Sequence, residues 1–96
     1  MTSKQRAYLK SLASNINAIF QIGKSGESEN LIKQLDDALE ARELIKITVL
    51  ETAPNSAKNL GNELAIKTNS ILVQTIGNKI ILYRSKKNNP QIVLLD

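Results

Sequence analysis

Apolar residues recur along the chain with two periods. From Lys4 to about Ser14, Tyr8 and Leu12 are spaced i, i+4, and Leu9, Ala13 and Ile16 are spaced i, i+4, i+7. This predicts a helix with one broad apolar stripe, capped by Thr2 or Ser3. Ala18 to Ile22 reads as a short strand, ended by Gly23-Lys24-Ser25-Gly26. Ser28 is a good N-cap for a second helix reaching Arg42, with Leu31, Ile32, Leu35, Ala38 and Leu39 at helical spacing. Leu44 to Leu50 alternates as a strand does, with Ile45, Ile47 and Val49 on one side and Lys46 and Thr48 on the other. Pro54-Asn55 starts a third helix reaching about Thr68, with Ala57, Leu60, Leu64 and Ala65 inward. Gly61 inside it costs about 1 kcal/mol relative to Ala. Ile71 to Ile76 and Lys79 to Arg84 read as strands joined by a Gly77-Asn78 hairpin turn. Ser85 to Asn89 is a polar break, and Gln91 to Leu95 is expected as a short edge strand after Pro90. The order α-β-α-β-α-β-β predicts an α/β (α+β) fold, a two-layer sandwich of three helices on a four-stranded mixed sheet. Residues 1–96 make one domain, with 85–96 as a C-terminal extension.

Composition narrows the chemistry. The 96 residues include no Cys and no His. That removes disulfides, thiolate nucleophiles, cysteine-ligated zinc and the commonest general base and metal ligand. Apolar runs are too short to span a bilayer, and Met1 to Arg6 does not lead into a signal peptide, so a cytoplasmic protein is expected. The formal net charge is +4, and it is unevenly placed. Residues 1–26 carry Lys4, Arg6, Lys10 and Lys24 and no acid; residues 27–51 carry three bases and seven acids; residues 52–96 carry six bases and two acids. If folding brings the ends together, one face is basic and another acidic, and a basic face suits a polyanion. A solvated surface with chance clustering is the alternative.

Gly23-Lys24-Ser25-Gly26 sits between a predicted strand and a helix start. Glycines let the backbone approach a ligand, the helix start offers unpaired N–H groups, and Lys24 adds a full charge, which together suit phosphate oxygens. A GXXG loop clamps a nucleic-acid backbone in KH modules. An ordinary strand-to-helix turn is the plainer reading. Neither P-loop nor dinucleotide-fingerprint spacing is present. Tyr8, Phe20 and Tyr83 are the only aromatics. Their positions suggest core, which favours backbone and shape recognition over base stacking. Asp36, Asp37 and Glu40 read as a solvated helix face rather than a cation site. No nucleophile–base pair or tuned acid pair is visible, so neither enzyme, metal nor cofactor is expected.

Beyond these pieces, the chain resembles the CRM domain, or YhbY-like RNA-binding, family over almost its full length. The matching stretches are Lys4-Gln5-Arg6 with Leu9 and Leu12-Ala13, then Gln21-Ile22-Gly23-Lys24-Ser25-Gly26, Ala38-Leu39-Glu40, Glu43-Leu44-Ile45-Lys46-Ile47, Gln74-Thr75-Ile76-Gly77 and Ile80-Ile81-Leu82-Tyr83-Arg84. The resemblance implies a fold similar to the C-terminal domain of translation initiation factor three. It also implies RNA binding linked to precursors of the large ribosomal subunit, or to organellar intron splicing in plant relatives. Carried onto this chain, the family's loop is Gly23, Lys24, Ser25 and Gly26, and its terminal basic residue is Arg84. One departure is Glu27, where the family usually has an apolar residue. It cannot staple onto Ile32 and sets a negative charge beside the loop, which predicts a looser loop and weaker RNA binding.

The expected RNA-contacting set is therefore Lys4, Arg6 and Lys10 of the first helix, Gly23, Lys24, Ser25 and Gly26 of the loop, and Arg84, Lys86 and Lys87 after the hairpin, joined in one positive surface. The expected partners are ribosomal RNA or a pre-large-subunit particle, with ribosomal proteins beside it, and neither a membrane nor a small-molecule cofactor. Two other readings stay open: an adaptor using the acidic second helix, and a small phosphate or nucleotide binder using the loop.

Overall fold

In a computed structural model, which describes residues 1–94, the elements follow the expected order: α1 Ser3–Ala13, β1 Phe20–Ile22, α2 Glu29–Arg42, β2 Leu44–Val49, α3 Ala57–Lys67, β3 Ile71–Ile76 and β4 Lys79–Tyr83. Each helix begins where a hydroxyl accepts an otherwise unpaired N–H. Thr2 accepts from the Gln5 amide in a capping box, Ser28 from Leu31, and Ser56 from Asn59. Gly77, at φ +56°, supplies the left-handed conformation that turns β3 into β4.

The four strands form one mixed sheet in the order β1-β2-β4-β3. β1 runs parallel to β2, pairing Ile22 with Val49. β4 lies antiparallel between β2 and β3, pairing Leu44 with Tyr83 and Ile71 with Tyr83. β3 slips register between Leu72 and Gln74.

α2 and α3 cover one face, where Leu35, Leu39, Leu60 and Leu64 meet Ile22, Ile45, Ile47, Ile80 and Leu82. The two-layer expectation holds there and fails on the other face. Leu9 and Ala13 of α1 pack on Leu44, Val73, Ile81 and Tyr83, so α1 begins a third layer. The reason is local: β2 and β4 are apolar on both sides at the end where Leu44 meets Tyr83, and only one of those sides faces α2 and α3. Gly61 is buried because α3 passes close over β3. A Cβ there would sit 3.0 Å from Leu72 Cδ1 and 3.2 Å from Thr75 Cγ2.

The segment after β4 is not an edge strand over Gln91 to Leu94; Leu95, the last residue of that expectation, lies outside the described residues. The chain folds back instead, and Ile92 and Leu94 pack beside Leu12 and Ile16. Its anchor is Glu43, whose side chain is fully buried. One carboxylate oxygen accepts from the amides of Gln91 (2.7 Å) and Ile92 (3.0 Å), the other from Lys86 (3.2 Å). Burial pushes this carboxyl up, but the three amides and the Lys86 charge outweigh it and hold it below the usual glutamate range. Glu43 itself sits at φ 68°, ψ −41°, a backbone conformation uncommon for any residue with a side chain.

Candidate nucleic-acid interface

The loop after β1 is a closed turn. The Gly26 amide donates to the Gly23 carbonyl at 2.9 Å, leaving Lys24 and Ser25 exposed at the tip. The two glycines differ in what the fold asks of them. Gly26 has φ +64°, and a Cβ there would lie 3.0 Å from Pro54 Cγ, so it is required by geometry. Gly23 has no such φ, and a Cβ would make only ordinary 3.5 Å contacts with Leu50 and Thr52. Its bareness is not demanded by packing, and it keeps the loop backbone approachable.

The start of α2 is less electropositive than a bare helix end. Ser28 already accepts the Leu31 amide, and Glu29 occupies the first turn. Glu27 does not point its charge at the loop tip: its carboxylate pairs with Lys67. The hydrogen bond to Glu27 raises the Lys67 pKa against an opposing effect of burial. The looseness expected from Glu27 is thus offset by a tether between the loop and the end of α3.

The expected cations do not form one surface. Ile22 pairs with Val49, while Tyr83 pairs with Leu44. The loop and Arg84 therefore leave the sheet at opposite ends of β2, about 17 Å apart along the strand. Arg84 is also occupied, donating to the Thr68 carbonyl (2.7 Å), the Asp36 carbonyl (2.9 Å) and the Asp36 carboxylate. Lys86 and Lys87 lie in the segment clasped by Glu43 and Glu40, whose carboxylates accept their backbone amides. Arg6 is likewise structural: Nη1 donates to the carbonyls of Leu72 (2.7 Å) and Val73 (2.6 Å), where β3 slips register at the sheet edge. Lys4, Lys10 and Lys24 are exposed. Among the described residues, the ion pairs are Lys67–Glu27, Arg84–Asp36 and Arg84–Glu40, and none involves those three lysines.

Part of the basic charge shares one side of the sheet. α1 and the four strands carry Lys4, Arg6, Lys10, Lys46 and Lys79 and no acidic residue, whereas α2 mixes Glu29, Asp36, Asp37 and Glu40 with Lys33 and Arg42. Lys46 and Lys79 were missing from the sequence-derived set. The alternation in β2 places Lys46 opposite the Ile45–Ile47 side, but only the register shows that Lys79 joins it. Of the aromatics, Tyr83 is buried and Phe20 is partly buried. Tyr8 is 46% exposed, against expectation, because α1 buries only the narrow Leu9–Ala13 stripe.

The hollow beside the loop is lined by Glu27, Ser28, Glu29, Ile32 and Lys67, and its glutamates repel the phosphates of a mononucleotide. A cleft of about 640 Å³ lies by α1 and β2, lined mostly by apolar side chains such as Leu12, Ile16 and Leu44. Among the described residues there is no metal-holding group of His, Cys, Asp or Glu, and no helix is long and apolar enough to cross a membrane.

This is an α+β domain with a glycine-hinged loop and a basic sheet face, and its sequence matches the CRS1 / YhbY (CRM) domain over residues 1–84; the chain belongs to that family. It is 47% identical over 94 residues to Bacillus subtilis YqeI, named a probable RNA-binding protein, covering 98% of each chain. It is 32% identical over 84 residues to a Haemophilus influenzae protein named as RNA-binding, covering 88% of this chain and 85% of the other. A Staphylococcus aureus protein, SAV1595, described as hypothetical and as a candidate RNA binder, has a solution structure similar to this one with a TM-score of 0.82, 53% identity and 99% coverage of both chains.

Proposed function

We propose that this protein binds RNA without catalysing a reaction, gripping the sugar-phosphate backbone with the Gly23–Gly26 loop and the exposed lysines of α1. The observation that carries the reading is that α1 and the strands carry no acidic residue, while Lys24 of the loop and Lys4 and Lys10 of α1 are exposed and in no ion pair among the described residues. Relatives named as RNA-binding over nearly the whole chain support it. Arg6 and Arg84 act within the fold, and Lys86 and Lys87 stand apart from the loop. The family resemblance favours ribosomal RNA in a precursor of the large subunit, in the cytoplasm, as the target.

The test is a salt titration of binding to a structured ribosomal RNA fragment. Lys24→Ala should weaken binding and flatten the log–log salt dependence by roughly 0.7 to 0.9, the share of one phosphate. Gly23→Ala should leave stability unchanged or slightly raised while weakening binding, because its cost falls on the ligand's approach rather than on packing. Salt-independent binding, or none, rejects the reading.

A further inference from the structure

Resting on that RNA-binding reading, one part of the basic face has a role the loop does not share. β1 turns Phe20 and Ile22 toward α2 and α3, so Gln21 faces the α1 side. Gln21 pairs with Thr48, Thr48 with Lys79 and Lys79 with Ile76, making one cross-strand row. The next row is Lys46, Ile81 and Gln74. α1 covers the opposite end of this face, over Leu44, Val73, Ile81 and Tyr83, so the second row is covered at its centre, with Lys46 and Gln74 half-buried on either side. In the first row Thr48 is buried beside Lys79, while Gln21 is exposed and Ile76 is 53% exposed. Lys46 and Lys79 are diagonal neighbours, about 7–8 Å apart at their backbones. Both are half-buried, and neither has a carboxylate partner among the described residues. Lys79 Nζ donates to Thr48 Oγ1 at 2.7 Å, which fixes its head over the floor and leaves further N–H donors unused.

We propose that the end of this face beyond α1, with Gln21, Lys46, Gln74 and Lys79, is a second RNA-contacting site, and that it takes an unpaired strand. The two lysines neutralise phosphates, and the Gln21 and Gln74 amides hydrogen-bond exposed base edges or 2′-hydroxyls. Charge complementarity selects RNA, because partly desolvated cations on a surface without acids attract a polyanion. Flatness selects the unpaired form. Side chains held down on a sheet floor cannot enter the deep, narrow major groove of an A-form helix, whereas splayed bases bring their edges to them. The scarcity of aromatics leaves sequence preference weak.

The experiment compares an unstructured RNA oligonucleotide with a fully paired RNA duplex, each titrated against salt with the wild-type chain, Lys24→Ala and the double variant Lys46→Gln with Lys79→Gln. Glutamine removes the charge while keeping part of each stem and an N–H donor, and thermal melting checks the fold. The double variant should lose affinity for the unpaired strand, with its salt slope reduced by about 1.4, two phosphates' worth, and should bind the duplex as wild type does. Lys46→Arg with Lys79→Arg should retain single-strand binding. Equal losses on both RNAs overturn the choice of the unpaired strand, and no loss on either overturns the site while leaving Lys24 to carry the primary reading. Binding of neither RNA by the wild-type chain sinks the primary reading itself.

Discussion

Replacing Glu43 with Ala should unlatch the C-terminal segment. Three backbone amides, from Lys86, Gln91 and Ile92, share its buried carboxylate. Hydrogen bonds to a charged group are each worth about 1.5–3 kcal/mol net. The sum overstates the loss, because freed amides can turn to water, and Ile92 and Leu94 give up only part of their burial. The expected destabilisation is about 2–4 kcal/mol, a fall in Tm on the order of 15 °C for a domain of this size. Native-state hydrogen exchange is the direct assay: the amides of Lys86, Gln91 and Ile92 should lose protection together, while those of β2 and β4 lose only what global stability dictates. Glu43→Gly should release the same amides yet destabilise less, because glycine relieves the strain at φ 68°, worth about 1–3 kcal/mol. Acid should mimic the mutation. The folded-state carboxyl lies below the usual glutamate value of 4.5. Its contribution is therefore complete above that value and disappears as pH falls through the lower folded value. Retained protection of the three amides in Glu43→Ala would refute the clasp.

Arg6→Ala should cost about 1–3 kcal/mol, because it removes two charge-assisted bonds from the β3 carbonyls; urea unfolding measures this, and an unchanged midpoint contradicts the structural role. Gly61→Val should destabilise by about 2 kcal/mol, since it drives side-chain atoms toward Leu72 and Thr75, whereas Gly61→Ala should be nearly neutral as helix propensity offsets the tight contact. Lys67→Glu should weaken RNA binding by freeing Glu27 beside the loop, and adding Glu27→Lys should restore it; failure of the double swap to rescue would separate Glu27 from the loop's order. The Glu27–Lys67 pair raises the Lys67 pKa, so the part of its contribution that depends on the Lys67 charge is complete below the ordinary lysine value and is lost as pH rises through the higher folded value.

Much of the fold was legible because local signals agreed. Ser28 before an i, i+3, i+4 pattern and Gly77-Asn78 between two alternating runs identify their elements without tertiary information. The seat of α1 was not legible, because Leu44, Ile81 and Tyr83 sit in apolar runs that do not reveal how many faces are covered. The site was half legible. Gly26 and Lys24 follow from residue type and spacing, but Arg6 and Arg84 look like phosphate-binding cations until the carbonyls they hold are seen. Glu43, inside an acid-rich stretch, reads as a solvated charge, and its three amide partners lie more than forty residues away. Lys46 and Lys79 become neighbours only through strand register.

The clasp also bears on where this unit can be cut. The match to the family's domain model ends at residue 84, ahead of every amide that the Glu43 carboxylate holds. A fragment trimmed there would keep all seven helices and strands, yet strand a buried anion and uncover the oily side of Leu12 and Ile16. Such a fragment would be stickier and less hardy than the longer chain, and any RNA affinity measured on it would describe a damaged molecule.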